Sequence, residues 1–452
     1  MVTLCGLTTQ YPLLTAACAW TLPICASLLL FKGESPILFA CCAMQWLQVV
    51  AAVFYCDLYN MTMDSVLEAP EVDAATWLCL AGVLCLAAGM RSMLSSWGRG
   101  GDVAKIIEAE VGRFDLFRLF QIWLFVWILG TIAEAVGWYV TSLHQFLVPV
   151  TNLKWVFFFI ICYRALLQDR GFGMMSLMIA VEFFSGFLGF FSSYKEGLIM
   201  FLIAAATVRR AMNIKLKIMG ATVILLGAVT SVFWSAIKQE YRLFVNASQH
   251  QDMAERFSQR ISWLEDRLGR MDAKTFDNGM RALVARVQYV TLFGHTLNHV
   301  PHFEPHSKGE LWLGAVKHIV TPRIVFRNKA AVDDSDRARR FTGLNLSGKE
   351  SSTSIGVGYM AESYADFGFV GMFVPVCLLG ALMGRIYQVV IRNRHSALLG
   401  TAIATAMLFS VLQAFATSNA KILGSLIVLS LAYWALNKAF GGQLMRWLKR
   451  AS

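Results

Sequence analysis

The chain has 452 residues, of which 57% are hydrophobic and 15% charged, and its formal net charge is +11. Soluble domains carry about 25% charged residues, so this composition excludes an ordinary soluble protein and indicates a polytopic membrane protein. The positive charge does not indicate nucleic-acid binding, because most cations lie in short loops between apolar runs, where they orient membrane helices.

Apolar runs long enough to span a membrane recur along the chain. About 20 such residues cross the bilayer core as a helix, and the runs predict roughly 11 helices. They cover residues 12–31, 35–56, 74–93, 119–140, 153–168, 172–191, 196–208, 219–237, 367–390, 397–415 and 421–440. No basic segment precedes the first run, which we interpret as a retained helix rather than a cleaved signal peptide. We therefore expect an all-α polytopic integral membrane protein.

The loops between these runs alternate in charge. The segments "RSMLSSWGRGGDVAKIIEAEVGRFDLFR", "RRAMNIKLK", "RNRHS" and "RWLKRAS" are basic, whereas "DLYNMTMDSVLEAPEVD" and "TSLHQFLVPVTN" contain no Lys or Arg. Because basic loops stay in the cytoplasm, the alternation predicts an external N-terminus and a cytoplasmic C-terminus.

One long hydrophilic segment, residues 238–366, separates an N-terminal bundle at 1–237 from C-terminal helices and a basic tail at 367–452. By the same alternation it faces outward, and a loop of that length usually carries function. Apolar spacings of three and four predict an amphipathic helix over "DMAERFSQRISWLEDRLGR". A second helix is predicted over "MRALVARVQYVTLFGHTLNHV" and a short third over "LWLGAVKHIV". We call residues 238–366 the insertion.

A cluster of cations follows the third predicted helix. The stretch "TPRIVFRNKA" carries Arg323, Arg327 and Lys329 around a proline. An anionic ligand that reaches the outer leaflet combines a membrane tail with concentrated charge, as a lipid pyrophosphate does. Arg presents a fixed fork to phosphate oxygens and Lys a point charge. We therefore expect Arg323 and Lys329, together with Arg286, to bind pyrophosphate, with Arg281 and Lys195 in support.

Further cations support the same ligand. Arg281 and Arg286 lie on the second predicted helix of the insertion, and Lys195 begins an unusually short apolar run that ends before Arg209. A helix of that length covers roughly 20 Å of a core of about 30 Å, so Lys195 either lies below the outer surface or the bilayer thins there. Lys195 binds a phosphate in one interpretation, and in the other it snorkels or pairs with Glu196.

Three ionisable residues fall within predicted spans: Glu134, Arg164 and Glu182. Charges at that depth usually face a cavity or a partner. A structural pair between Arg164 and Glu182 and a role in substrate binding both fit. These residues also support a rival hypothesis, a secondary transporter with a buried coupling site.

Histidines and cysteines do not predict a metal site. His295 and His299 share a helix face, but they lack a third ligand at metal-binding spacing. The cysteines lie in or beside apolar runs, as small buried hydrophobes do. We expect no metal and no cofactor, and we retain His295 or His299 as a candidate acid or base.

The end of the insertion resembles the bacterial polysaccharide repeat-unit polymerases, the Wzy-type or O-antigen-polymerase-like integral membrane glycosyltransferases. In one exopolysaccharide branch a Pro-Arg pair, a Lys and a Thr precede a Glu-x-Tyr-x-x-Phe-Gly run. The matching positions here are Pro322, Arg323, Lys329, Thr353, Glu362, Tyr364, Phe367 and Gly368, with Gly371 beyond them. Asn328 and Ala330 stand where that branch has prolines.

The resemblance implies an activity and its partners. Such enzymes join undecaprenyl-pyrophosphate-linked oligosaccharides, the repeat units of an exopolysaccharide or O-antigen, at the outer face of the inner membrane. A flippase and a chain-length regulator of the same pathway are expected partners, beside membrane lipids, whereas nucleic acid is not. Related ligases pass the glycan to another acceptor. A polymerase, an O-antigen-ligase-like transferase and a transporter or flippase of lipid-linked glycans therefore remain as alternatives.

The transfer also requires a base to accept the proton of the acceptor hydroxyl. Glu362 is the leading candidate and Asp366 the alternative, because a carboxylate in a partly dry site has a raised pKa. In the structural interpretation, both carboxylates cap a helix that starts near Phe367. We interpret "DDSDRARR" as a solvated, self-neutralising loop in which a phosphate role for Arg337, Arg339 or Arg340 is less favoured.

Overall fold

A computed structural model describes residues 9–31, 34–94, 102–140, 144–188, 194–208, 214–247, 253–321, 333–346, 354–393, 395–411 and 415–449. Within these ranges the chain is helical, and an isolated bridge between Phe114 and Lys449 is the only β-type pairing. Eight of the described helices are long and apolar enough to cross a membrane. The prediction of an all-α chain with membrane-spanning helices is thus confirmed at this level, and the count of 11 stays a prediction.

The apolar runs before the insertion lie in helices α1 to α10. Their bounds are α1 Pro12–Leu29, α2 Ile37–Tyr59, α3 Met63–Leu67, α4 Val72–Met93, α5 Asp102–Val111, α6 Leu116–Tyr139, α7 His144–Gln168, α8 Phe172–Leu188, α9 Tyr194–Thr207 and α10 Ile214–Ala247. The insertion and the C-terminal part contain α11 Met253–Gly269, α12 Ala273–Val287, α13 Val290–His299, α14 Glu310–Val320, α15 Asp334–Thr342, α16 Tyr359–Gly371, α17 Phe373–Val390, α18 Ala397–Phe409 and α19 Asn419–Leu448.

Three apolar helices are short. Helices α8, α9 and α18 have 17, 14 and 13 residues. At 1.5 Å per residue they measure roughly 20 to 26 Å, which is less than the bilayer core of about 30 Å. If these helices cross a membrane, polar groups at their ends would lie closer to its middle than those of a full span.

Helices α4 and α17 pack backbone against backbone. A Cβ atom added to Gly89 would lie 2.2 Å from the carbonyl oxygen of Cys377, and one added to Gly380 would lie 2.2 Å from that of Leu86. No side chain fits at such distances, so glycine permits this close approach, as small residues do between membrane helices.

Helix α16 bends sharply near its C-terminal end. Gly368 has φ 70° and ψ −167°, a conformation that glycine adopts without strain. The prediction that one helix starts near Phe367 and spans 367–390 is therefore wrong at its N-terminal end. Helix α16 already begins at Tyr359, so Glu362 and Asp366 lie inside a helix and do not cap the one that follows.

The insertion contains more helix than its sequence indicates. The segment "DDSDRARR", predicted as a loop, lies largely in α15. The side chain of Asp333 accepts a hydrogen bond of 3.2 Å from the nitrogen of Asp336 at its start, and Gly343 ends it with φ 69°. A side-chain cap and a left-handed glycine satisfy the ends of a short helix, which explains the difference.

The boundaries within the chain also differ from those of the sequence patterns. Helix α10 continues through residue 237, where the N-terminal bundle was expected to end. The second predicted helix of the insertion is divided at Gln288 and Tyr289 into α12 and α13. The first and third predicted helices correspond to α11 and α14.

The insertion is anchored deep in the bundle. The nitrogen of Tyr289 donates to the carbonyl oxygen of Gln48 over 2.9 Å, and the hydroxyl of Tyr359 is hydrogen-bonded to Gln45. Gln48 lies 11 residues before Tyr59, the end of α2, which is roughly 16 Å along the helix. The start of α16 is therefore held inside the helix bundle.

Candidate active site

Glu362 lies at the junction of the insertion and the last helix. Its side chain is 1% exposed, and its Oε2 accepts a 2.8 Å hydrogen bond from the backbone nitrogen of Asn419, the first residue of α19. Nη1 of Arg337 on α15 lies 3.7 Å from its Oε1. A helix N-terminus and a guanidinium group thus face the same carboxylate, and both stabilise its charged form.

Burial nevertheless raises the pKa of Glu362 to about 8. The Asn419 N–H and the Arg337 guanidinium lower this pKa, whereas the nearby carboxylates of Asp334 and Asp366 add to the effect of burial. A carboxyl group with a pKa near the working pH exchanges its proton readily, as a general acid or base must.

A second ion pair lies beside this carboxylate. Asp334 on α15 is 2% exposed, and its Oδ2 forms a salt bridge of 2.6 Å with Nζ of Lys421 on α19. We refer to Asp334, Arg337, Glu362 and Lys421 as the ionic cluster. Glu362 was predicted from the sequence, and Arg337 was given a minor role there. Asp334 and Lys421 were not predicted, because neither belongs to a motif.

Asn419 has an unusual environment for a buried amide. It is fully buried, and neither its Oδ1 nor its Nδ2 has a hydrogen-bond partner among the described residues. The hydroxyl oxygen of Ser418 is likewise unsatisfied there. Leaving a buried polar group unpaired costs about 1–3 kcal/mol, so burying these atoms at the start of α19 lowers the stability of the fold.

A cavity of about 350 Å³ opens next to the ionic cluster. Helix ends form its wall: the starts of α7, α9 and α19 and the end of α18. Its polar lining includes Asn152, Glu196, Thr417, Lys421 and Ser425. We call it the helix-end cavity. Its volume lies within the range of small-molecule sites, and two of its helices, α9 and α18, are among the short ones.

Two of the predicted phosphate ligands are brought together. Arg286 on α12 lies close enough to Lys195 on α9 to interact with it electrostatically, although the two are 91 residues apart in sequence (286 − 195). Arg281 lies five residues earlier on α12, and both arginines are exposed. Two neighbouring cations repel each other, so an anion bound between them would be stabilised by both.

Arg323 and Lys329, the central cations of the sequence prediction, lie outside the described residues, as does Thr353. The described chain reaches Thr321, directly after α14, and resumes at Asp333, directly before α15. Pyrophosphate binding by these two cations therefore remains a prediction.

Asp366 has a structural role. One of its carboxylate oxygens accepts from the nitrogen of Leu311 at 3.1 Å and the other from that of Trp312 at 2.9 Å. Both oxygens thus cap the N-terminus of α14. Burial raises the pKa of Asp366, and these N–H groups oppose the shift. Both Asp366 oxygens accept hydrogen bonds of ordinary length, whereas Oε1 of Glu362 faces Arg337 only at 3.7 Å, so Glu362 is the better candidate for the base.

The histidines do not join the cluster in any contact that the structure describes. His295 is half-buried on α13, and burial lowers its pKa. His299 stacks on Phe303 with ring centroids 5.2 Å apart. Across the described ranges, no three His, Cys, Asp or Glu side chains are placed to hold a metal ion.

Glu182, which the sequence predicts within a span, pairs with Lys154 and not with Arg164 in the contacts that the structure describes. Oε2 of Glu182 on α8 lies 2.7 Å from Nζ of Lys154 on α7. Arg164 is ten residues further along α7, roughly 15 Å along the helix axis, so Lys154 is the cation that the described contacts pair with Glu182.

The described residues form a helical protein with candidate membrane spans, in which two buried carboxylates, Glu362 and Asp334, pair with cations where the hydrophilic insertion meets the helix ends. Residues 108–438 match a family described as a domain of unknown function (DUF8712), and the chain belongs to that family. No curated protein and no solved structure matches the chain.

Proposed function

We propose that this protein is a membrane glycosyltransferase that polymerises oligosaccharide repeat units carried on a polyprenyl pyrophosphate, at the outer face of a bacterial inner membrane. The observation that carries the proposal is Glu362 on α16, a buried carboxyl group with a pKa of about 8 that accepts a hydrogen bond from the first residue of α19. It combines the protonation behaviour of a general base with a dry environment.

The proposed step is a substitution at the anomeric carbon of the donor. A hydroxyl of the acceptor sugar attacks that carbon and transfers its proton to the Glu362 carboxylate. The bond between the carbon and the pyrophosphate oxygen breaks, and the electron pair leaves with the pyrophosphate. Because Glu362 is 1% exposed, water has little access to the base, which limits hydrolysis of the donor.

Cations stabilise the departing pyrophosphate in this scheme. Lys195 and Arg286 supply two positive charges from the described part of the chain, and Arg323 and Lys329 are predicted to supply two more. Preorganised cations at developing negative charge lower the barrier without a metal ion. We assign Arg281 a supporting role, because Arg286 rather than Arg281 acts on the charge of Lys195.

The test is a reaction of the purified full chain with a synthetic undecaprenyl-pyrophosphate oligosaccharide. A ladder of products supports polymerisation, and a single addition to a foreign acceptor supports a ligase-like transferase. In cells, Arg323→Ala should make the lipid-linked oligosaccharide accumulate while the protein level is unchanged. If no new glycosidic bond forms with either acceptor, the proposal is wrong.

The Lys154–Glu182 pair favours a second candidate function. Ion pairs between membrane helices occur in the coupling sites of transporters. A transporter of lipid-linked glycans would move the substrate across a vesicle membrane without altering its chain length. The same synthetic substrate, followed both for length and for leaflet, separates the two functions.

A further inference from the structure

A second cavity lies between α17, α18 and α19, away from the candidate active site. Its volume is about 720 Å³. Most of its wall is apolar, with Ile386, Val389, Ile403, Met407 and Leu431 among the lining residues. Val389 and Leu431 are 54% and 62% exposed, so the wall is open at the side of the bundle. We call this cavity the basic groove, for the reason that follows.

Three cationic side chains line one end of the groove. Arg385 and Arg392, at the end of α17, and Lys438 on α19 line it, and of its described lining residues none is acidic. The Lys438 ammonium lies 5.1 Å from the ring centroid of Trp434. A hydrogen bond of 3.1 Å between the side chains of Asn393 and Asn437 links the helices at this end.

The apolar wall extends from this end into the bundle. Ile403 and Met407 lie six and ten residues after Ala397, the start of α18, which is roughly 9 to 15 Å along the helix. The groove thus combines a cationic mouth with an apolar channel along the membrane helices. An anionic headgroup with an attached acyl chain matches both parts, whereas a free phosphate would match only the mouth.

We propose that the basic groove binds an anionic phospholipid, with its phosphate at Arg385, Arg392 and Lys438 and one acyl chain along α18. The loop that follows α17 belongs to the set predicted to be cytoplasmic, which places the site in the inner leaflet. Basic pockets between membrane helices on that side favour anionic headgroups. The site is independent of the proposed glycosyl transfer.

The experiment is native mass spectrometry of the full chain, titrated with phosphatidylglycerol and with phosphatidylcholine of identical acyl chains. The wild type should retain phosphatidylglycerol preferentially. The triple variant R385Q/R392Q/K438Q should lose about tenfold or more of that retention, because each cation near the surface attracts the anionic lipid. A charge-matched control, K105Q/R113Q/R446Q, changes three exposed cations outside the groove and should behave as the wild type.

Two results would overturn the proposal: equal retention of both lipids by the wild type, and equal loss of phosphatidylglycerol in both triple variants. If the triple variant does not fold, R385Q alone is compared with R113Q by the same criteria. Ser430→Phe fills the apolar part without a change of charge and should reduce the retention of both lipids. Unchanged retention in that variant contradicts an acyl chain in the groove.

Discussion

The backbone nitrogen of Asn419 donates a hydrogen bond of 2.8 Å to the carboxylate of Glu362. This bond joins the end of the insertion to the first turn of the last helix. The second carboxylate oxygen of Glu362 faces Arg337 on α15 at 3.7 Å. The position of the candidate base thus depends on three separate helices, α15, α16 and α19.

We expect Glu362→Gln to reduce the transfer rate by about 10²- to 10⁴-fold, because the amide cannot accept the proton of the acceptor hydroxyl. The amide oxygen still accepts from Asn419, so the protein should keep its fold. The measurement is ladder formation from the synthetic donor. Glu304→Gln is the control, since it removes another carboxylate of the insertion, one that pairs with Arg340 at 2.6 Å. Similar activity of the two variants would argue against Glu362 as the base.

The pKa of Glu362 also predicts how activity and stability depend on pH. The base must be ionised, so the transfer rate should rise with pH up to about 8. Between the ordinary pKa of 4.5 and about 8 the folded chain holds a proton that the unfolded chain has released. Stability should therefore fall as pH rises through this interval. Thermal unfolding of Glu362→Gln should lack that contribution, and an identical pH profile in both proteins would be inconsistent with a raised pKa.

Arg337→Gln should move the pH dependence of the reaction to higher pH. The Arg337 guanidinium lowers the pKa of Glu362, whereas burial raises it. Removal of the guanidinium should therefore raise this pKa further. The rate at pH 7 should fall, and part of it should return as the pH is raised. Arg339→Gln, on the same helix, is the control, because Arg339 pairs with Asp336 at 3.2 Å and not with Glu362. A uniform loss at every pH would indicate a purely structural role for Arg337.

Lys195→Ala and Arg286→Ala should each weaken donor binding. A hydrogen bond to a charged group contributes about 1.5–3 kcal/mol, which corresponds to roughly 10- to 150-fold in affinity. If both side chains hold one pyrophosphate, the effects in the double variant should not be additive. Initial rates against donor concentration measure KM and kcat. Arg270→Ala, which removes an exposed cation paired with Asp266, should leave both values unchanged.

Asp366→Asn should affect stability more than chemistry. The carboxylate caps α14 through two N–H groups, and loss of such a cap costs about 0.5–2 kcal/mol. The thermal unfolding midpoint in detergent should fall, while the rate per folded molecule stays within a few-fold of the wild type. A large loss of kcat in a fully folded variant would instead make Asp366 a candidate base.

The sequence by itself determined that the chain is helical, that long apolar helices form most of it and that one hydrophilic insertion interrupts them. These properties follow from local patterns, because the length of an apolar run and the spacing of its polar residues are encoded within each segment. The sequence also placed Glu362 among the candidates, and Lys195 and Arg286 among the cations.

Only the tertiary structure decided which of these groups meet. Glu362 and Asn419 are 57 residues apart, and Asp334 and Lys421 belong to different helices of the same cluster. It also separated the two carboxylates of one motif, since Asp366 caps α14 whereas Glu362 faces Arg337 and α19. Burial and proximity between distant segments, which raise or lower the pKa of a carboxyl group, arise only when the helices pack.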